Sequence, residues 1–207
     1  MELIVVNDHS TDGTGEIVRG ICAGAPEVRL IEQDRGGIAR ARNVGIGAIA
    51  AGTDLVSFLD ADDLSPPARL ARDLVHFRQD PGLALLSGTT RCFREAAGSG
   101  LEPAPDGPIF DYRGVHLGAN LIATSRLLAV GPFDARLALG EDVDSLLRLL
   151  ETQPKFKVVG DLALYYRRHA GNVTREVPLV RQQLMRAVLF AACRAASARA
   201  HPIEEKT

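Results

Sequence analysis

The sequence predicts a doubly wound α/β fold, because short apolar strands alternate with helical segments over most of its 207 residues. Four runs have the length and the apolar, β-branched composition of buried strands, and they lie at 3–6, 28–31, 55–59 and 83–90. Turn residues and amphipathic segments separate them. This βαβαβαβ order favours a mostly parallel sheet flanked by helices.

Helix-start signals lie between these strands. The first predicted helix carries Ile17, Val18 and Ile21 on one side. The second helix opens at Gly36–Gly37 and ends near residue 52. The third starts at Pro66–Pro67, since proline is tolerated in the first turn of a helix.

The second half of the chain adds strands predicted at 119–123 and 156–166 and helices predicted at 140–150 and 178–200. Residues 95–108 are rich in glycine, proline and alanine, and they form either a plain surface loop or a flap beside an acceptor. We therefore expect an α/β domain over residues 1–175 and a helical extension over residues 176–207.

Composition excludes several classes of function. The net charge of −2 leaves no basic excess for nucleic acid. The three cysteines are widely spaced and match neither a metal motif nor a disulfide framework. The first residues lack the features of a signal peptide, and no run has the length of a transmembrane helix. We expect a cytoplasmic protein.

The final predicted helix has an apolar face at Leu184, Val188 and Leu189 and arginines on another face. Either this face packs on the domain, or it contacts a partner or the inner, anionic face of a membrane as a peripheral anchor.

Three carboxylates, Asp60, Asp62 and Asp63, follow the strand at 55–59. In an open parallel sheet, ligands bind at the carboxyl ends of the strands. Carboxylate oxygens suit Mg²⁺ or Mn²⁺ carrying a substrate diphosphate, and carboxylates this close repel one another unless a cation is present. The alternative is that they cap helices and start turns.

Other polar residues stand at the ends of predicted elements. Asp8 ends the first strand, where it either accepts a hydrogen bond from a nucleobase or forms an Asx turn. Asp142 opens a helix, whose N-terminus favours an ionised carboxylate that serves either as a base or as a cap. His169 lies in a basic, glycine-containing loop, either close to a diphosphate or simply exposed.

Four segments in this order resemble the family 2 glycosyltransferases of the GT-A fold, over roughly residues 2–175. They are the strand and turn at 2–14, the helix start at 36–46 with Ala41-Arg42-Asn43, the run Asp60-Ala61-Asp62-Asp63, and Gly140-Glu141-Asp142. The resemblance implies that Asp8 contacts uracil, Arg42 approaches the nucleotide and Asp60 meets the ribose. The alternative for Arg42 is an ordinary arginine on the helix surface.

The resemblance also implies a reaction. Asp62 binds Mn²⁺ or Mg²⁺, with His169 as a candidate further ligand, and Asp142 is the general base on the acceptor hydroxyl. The sugar is expected to move, with inversion, from a nucleotide diphosphate sugar to a hydroxyl of a glycan, a lipid or another acceptor. We expect the donor to be a UDP-sugar.

One departure from the family pattern concerns the amino terminus. In the family, the strand at 3–6 is preceded by a strand and a helix, and that strand lies between those at 3–6 and 55–59. We therefore expect an amino-terminally truncated sheet that binds UDP weakly. His9 also stands where the family usually has glycine. The alternative function is an inactive glycosyltransferase-like module that serves in binding or assembly.

Overall fold

The computed structural model describes residues 1–94, 109–114, 116–169, 171–172 and 177–200. The chain forms two compact units. The first comprises Met1–Thr53, Pro132–Ser145 and Gln183–Thr207, and the second comprises Asp54–Gly131 and Leu146–Gln182. The loop predicted at 95–108 lies outside the described residues. The expected boundary at residue 175, between an α/β domain and a helical extension, stays a prediction.

The first unit begins with a βαβ motif. Its elements are β1 (Leu3–Asp8), α1 (Thr14–Gly24), β2 (Val28–Gln33) and α2 (Ile38–Gly47). β1 and β2 are parallel, in a register that runs from Leu3 opposite Val28 to Asp8 opposite Gln33. A parallel pair needs a crossover connection, and α1 supplies it, as the sequence predicts.

Helix α1 approaches the strands most closely at Gly15, which is its buried residue. A Cβ at this position would lie 3.0 Å from Glu32 Oε1 and 3.1 Å from Asn7 Nδ2, so a larger residue would have to displace these side chains by a few tenths of an ångström. Ile17 and Ile21, which the pattern places on one side of the helix, are exposed. A two-stranded sheet covers too little of α1 to bury both.

The remaining elements are β3 (Leu55–Val56), α3 (Arg69–Gln79), β4 (Leu85–Phe93), β5 (Phe110–Arg113), β6 (Asn120–Ala123), α4 (Thr124–Ala129), α5 (Glu141–Glu151), β7 (Phe156–Arg167) and α6 (Val177–Ala200). A 3₁₀ turn at Leu117–Ala119 precedes β6. The second unit contains a sheet with the order β3-β6-β4-β5, and β7 pairs with β4. Each predicted helix and strand has a counterpart among these elements.

The strand directions are mixed, which corrects the expectation of a mostly parallel sheet. Among the described residues, β1–β2 and β4–β7 are parallel, whereas β3–β6, β4–β5 and β4–β6 are antiparallel. An apolar run indicates that a strand is buried but carries no information on the direction of its neighbour. The α/β class itself is confirmed.

Strand β3 is shorter than the predicted strand at 55–59. Leu55 and Val56 pair with β6, and at the next residue Ser57 Oγ donates to the carbonyl oxygen of Asn120 at 2.9 Å. In the described part of the first unit, β1 is paired along one edge, with β2. In the described part of the second unit, β3 is likewise paired along one edge, with β6. The expectation that the chain lacks a strand which the family places between β1 and β3 stays a prediction.

A buried ion pair ties α3 to the segment that precedes β6. Arg69 Nε donates to Asp73 Oδ2 at 3.2 Å, and the two other guanidinium nitrogens donate to the carbonyl oxygens of Gly118 at 2.7 Å and Asn120 at 3.0 Å. Beside this pair, Leu70 and Phe77 of α3 pack on the buried Leu83, Leu86 and Leu121. Breaking such a pair is costly because it leaves a buried charge without a partner.

Candidate functional site

In the first unit, Asp8 holds the glycine loop that opens α2. Its Oδ1 accepts from Gln33 Nε2 at 2.7 Å and from the Gly36 N–H at 2.7 Å, and its Oδ2 accepts from the Gly37 N–H at 2.8 Å. The hydrogen bond from Gln33 is the largest cause that lowers the pKa of Asp8. The Asx-type contact considered for Asp8 is made instead by Asn7, whose Oδ1 accepts from the Ser10 N–H at 3.0 Å.

A polar cleft of about 540 Å³ lies at the carboxyl ends of β1 and β2. Its lining consists of Asn7, His9, Ser10, Glu32, Gln33, Asp34 and Arg40. This is the edge of a parallel sheet at which ligands bind. The lining is polar throughout, so the cleft suits a polar ligand. The sequence pointed to this edge through Asp8 and His9, but it gave no sign of the contributions from β2 and α2.

Arg42 is partly buried and is not a fully exposed arginine of the helix surface. It donates to Glu141 Oε1, and the side chains of the pair are only 10% and 3% exposed. Its guanidinium carbon also lies 5.7 Å from the centre of the Phe133 ring. The adjacent Asn43 exchanges two hydrogen bonds with the backbone of Phe133, at 2.9 and 2.8 Å. The predicted contact of Arg42 with a nucleotide stays a prediction.

The first turn of α5 carries three acidic residues in different states. Glu141 and Asp144 are buried, Glu141 with Arg42 and Asp144 with Arg194 at 2.9 Å. Asp142 is partly exposed, and its Oδ1 accepts from the Val143 N–H at 2.8 Å. Of these three carboxylates, Asp142 is therefore the one that is accessible and outside an arginine pair.

In the second unit, the structure brings together Asp62 and His169, the two residues predicted to bind metal. His169 Nε2 lies 3.0 Å from Asp62 Oδ2, and Asn172 Nδ2 donates to the same oxygen at 3.1 Å. Two donor atoms bound side by side to one Mg²⁺, each at about 2.1 Å, lie about 3 Å apart. The pair therefore fits two neighbouring ligand positions.

No group of three or more His, Cys, Asp or Glu side chains gathers around a possible ion within the ranges that the structure describes. Two protein ligands are the number that Mg²⁺ commonly takes when waters and substrate phosphates complete its shell. Asp60 is half-buried, and its carbonyl oxygen accepts from the Asp63 N–H at 3.0 Å. Its predicted contact with a ribose stays a prediction.

Asp63 is a residue whose position the sequence did not foretell. Its side chain is buried, its Oδ1 accepts from the Arg167 N–H at 3.1 Å, and its Oδ2 has no hydrogen-bond partner among the described residues. Burial is the main cause that raises the pKa of Asp63 to about 7. The sequence does show a third carboxylate in the run Asp60–Asp63, but the residue that it contacts, Arg167, lies 104 positions away in the chain.

The fold of the chain is that of the GT-A class of glycosyltransferases. The family described as Glycosyl transferase family 2 matches residues 1–103, about half of the chain. The chain belongs to the family 2 glycosyltransferases, which are transferase enzymes. The α/β, GT-A-like fold expected from the sequence is thereby confirmed.

The similar curated proteins are longer than this chain. The "Uncharacterized glycosyltransferase YibD" of Escherichia coli (strain K12) is 36% identical over 95 residues, which are 46% of this chain and 27% of the relative. The chondroitin synthase of Pasteurella multocida (strain Pm70) is 34% identical over 91 residues, which are 44% of this chain and 9% of the relative. The chain thus spans a small part of the relatives it matches.

Solved structures are similar in fold at low sequence identity. Staphylococcus aureus TarS 1–349 in complex with UDP has a TM-score of 0.63 and 18% identity, covering 88% of this chain and 55% of that one. The mannosyltransferase PcManGT of Pyrobaculum calidifontis, with GDP-Man and Mn²⁺, has a TM-score of 0.60 and 20% identity, covering 96% and 66%.

The role of Asp8 in holding the glycine loop predicts a pH-dependent stability. Its pKa in the folded chain lies below the ordinary value of 3.8. The stability it contributes is therefore fully present above that value and is lost as the pH falls through the folded pKa. We expect Asp8→Asn to lower the free energy of unfolding at pH 7 by about 1 kcal/mol, which is less than the roughly 1.5–3 kcal/mol of a hydrogen bond to a charged group because solvent screens this partly exposed carboxylate.

Urea denaturation of the wild type and Asp8→Asn between pH 7 and pH 3 measures this difference, which should shrink below about pH 4. Asp34→Asn, which alters an exposed carboxylate just after β2, is the matched control and should change stability little at any pH. A difference between wild type and Asp8→Asn that stayed constant with pH would contradict the role of the ionised carboxylate.

Proposed function

We propose that this chain transfers a sugar, with inversion, from a nucleotide diphosphate sugar to an acceptor hydroxyl in a metal-dependent reaction. The observation that supports it best is the approach of His169 Nε2 to within 3.0 Å of Asp62 Oδ2. These residues lie 107 positions apart in the sequence and were both expected to bind the metal. Family membership supplies the class of reaction.

Asp62 and His169 would hold Mn²⁺ or Mg²⁺. Such an ion, when bound, neutralises the charge that develops on a leaving diphosphate. Support comes from similar folds crystallised with Mn²⁺, namely the mannosyltransferase with GDP-Man and the glucosyl-3-phosphoglycerate synthase of Mycobacterium tuberculosis with UDP and phosphoglyceric acid. We propose UDP as the nucleotide of the donor, and GDP is the competing choice that binding measurements separate.

Asp142 is proposed as the general base. It removes the proton of the acceptor hydroxyl while the hydroxyl oxygen forms a bond to the anomeric carbon. The bond from that carbon to the diphosphate oxygen breaks on the opposite side, and the electron pair leaves with the diphosphate. One displacement inverts the anomeric configuration. The accessible position of Asp142, outside the arginine pairs of its neighbours, supports this role.

The polar cleft beside β1 and β2 is proposed to take part of the nucleotide. Asp8 would act there through the position of the Gly36–Gly37 loop as well as by contact with the base, since three hydrogen bonds already engage its oxygens. Arg42 and Asp60 are proposed to contact the nucleotide and its ribose. The acceptor is a hydroxyl of a glycan, a lipid or another molecule.

The competing proposal is an inactive, glycosyltransferase-like binding or assembly module. It predicts nucleotide binding without turnover, whereas the enzyme predicts turnover that depends on Asp142.

We also propose a cytoplasmic protein that contacts the inner face of a membrane through α6. Within the described residues, no helix combines the length and the apolar character needed to cross a bilayer. Helix α6 instead exposes Leu184, Met185, Val188 and Leu189, which lie along one side. It contains several arginines and no acidic residue, a composition that suits an anionic interface.

The first prediction of the proposed function concerns metal-linked nucleotide binding. Isothermal titration calorimetry should detect UDP binding in Mn²⁺ and much weaker binding in chelator. Asp62→Ala should abolish the difference because it removes a proposed ligand. The matched control is Asp54→Ala, an exposed carboxylate before β3, which should behave as wild type. Equal UDP affinity in Mn²⁺ and in chelator would contradict the proposal, and tighter binding of GDP would reassign the donor.

Asp142→Asn is expected to lower kcat by about 10²–10⁴-fold, the usual cost of losing a general base, and to leave the Kd of UDP unchanged. The side-chain amide keeps the shape and the hydrogen-bond acceptor of the carboxylate. Glu151→Gln, at the exposed end of α5, serves as the control. Donor hydrolysis and transfer assays measure kcat. Unaltered turnover by Asp142→Asn would show that another group is the base.

Membrane contact predicts sedimentation with anionic phosphatidylglycerol vesicles and little with neutral ones. The double substitution Met185→Glu and Leu189→Glu should weaken this binding by more than about tenfold, because two exposed apolar side chains then carry charge. Leu128→Glu, a change of an equally exposed leucine on α4, is the control. If the wild-type chain stayed in the supernatant with anionic vesicles, α6 would not be a membrane contact.

A further inference from the structure

The run of carboxylates after β3 is fastened to the last residues of β7. Leu64 and Tyr165 exchange backbone hydrogen bonds, at 3.1 Å from the Leu64 N–H and 2.9 Å from the Tyr165 N–H. Arg167 Nε donates to the carbonyl oxygen of Asp62 at 2.7 Å. The backbone on both sides of Asp63 is therefore held by the end of one strand.

Asp63 also joins the carboxylate run to the end of β7 through its side chain. Its Oδ1 accepts from the backbone N–H of Arg167 at 3.1 Å, and the side chain is buried, with the residue 5% exposed. This hydrogen bond joins the buried carboxylate of Asp63 to the backbone of a partly buried residue, Arg167. The neighbouring Asp62 differs, because its side chain is 39% exposed and faces His169, which is 34% exposed.

Asn172 connects the same arginine to the loop that carries His169. Its Nδ2 donates to the carbonyl oxygen of Arg167 at 3.2 Å and to Asp62 Oδ2 at 3.1 Å. Its Oδ1 accepts from the backbone N–H of His169. Arg167 thus holds the backbone of Asp62 directly, and Asn172 links Arg167 to the side chain of Asp62 and to the backbone of His169. Asp63 in turn holds the backbone of Arg167. We call Asp63, Arg167 and Asn172 the Arg167 clamp.

We propose that Asp63 and Asn172 are positioning residues that hold Asp62 and His169 at the separation a divalent cation requires. Asp63 acts through Arg167, and Asn172 acts both through Arg167 and by its direct hydrogen bonds to Asp62 and His169. This inference rests on the proposed metal-dependent function. Asp63 supplies no ligand itself in this proposal, since the residue is only 5% exposed and its Oδ1 is engaged by the Arg167 N–H. Partners that orient a metal ligand typically affect affinity by about 10–100-fold.

The test compares two substitutions at one position. Asp63→Ala removes the acceptor for the Arg167 N–H, and Asp63→Asn keeps it as the Oδ1 of the amide. Mn²⁺ alone, titrated by calorimetry or by its electron paramagnetic resonance signal, gives the Kd without any need for activity. We expect the Kd of Asp63→Ala to rise by about 10–100-fold, and that of Asp63→Asn to match the wild type.

A control separates positioning from general loss of stability. Asp73→Ala removes another buried carboxylate of the same unit, whose partners are Arg69 and Arg72. It should lower the melting temperature and leave the Kd of Mn²⁺ unchanged, with folding verified by circular dichroism at the titration temperature. If Asp63→Ala does not fold, Asn172→Ala tests the second arm of the Arg167 clamp and should weaken Mn²⁺ binding by about tenfold or more.

Each outcome has one meaning. Wild-type protein that does not bind Mn²⁺ overturns the proposed function and this inference together. Wild-type binding that is retained in folded Asp63→Ala, or in Asn172→Ala, overturns the inference alone. Equal losses in Asp63→Asn and Asp63→Ala show that the charge of Asp63, rather than its hydrogen bond to Arg167, sets the affinity, and they overturn its positioning role. A similar loss in Asp73→Ala attributes the effect to stability and also overturns it.

Discussion

The parallel pairing of β7 with β4 is the interaction on which the second unit depends. It runs from Leu85 opposite Phe156 to Phe93 opposite Arg167, with an irregular register around residues 87–90. A Cβ at Gly88 would lie 2.4 Å from the Cβ of Ala163, so only glycine permits this approach. Because the pairing ends at Arg167, it fixes the point from which the carboxylate run and the His169 loop are held.

The pairing of buried charges decides which carboxylates remain available for chemistry. Asp73 is matched by Arg69, Glu141 by Arg42 and Asp144 by Arg194. A buried charge is tolerated when it is paired and hydrogen-bonded. Within the runs 60–63 and 141–144, Asp60, Asp62 and Asp142 stay partly exposed, and Asp62 and Asp142 are the residues proposed as metal ligand and base. Arginine pairing therefore accounts for the buried neighbours of Asp142, which are Glu141 and Asp144.

Local sequence patterns predicted the elements and the positions of the polar residues at their ends. The strands β1, β2 and β4, the helix start at Gly36–Gly37 and the helix that begins at Glu141 all follow from apolar periodicity and turn chemistry. The same patterns did not foretell the exposure of Ile17, because the surface available to a helix depends on how many strands lie beneath it.

The sequence by itself determined the α/β class, the family and the acidic and basic residues at the ends of strands and helices, since these depend on neighbours within a few positions. Only the tertiary structure decided that Asp62 meets His169, that Asp63 turns inward to Arg167 and that Asp8 binds a glycine loop. The tertiary structure also decided the directions in which neighbouring strands run. Each of these depends on pairings between segments far apart in the chain, and local periodicity carries no record of such contacts.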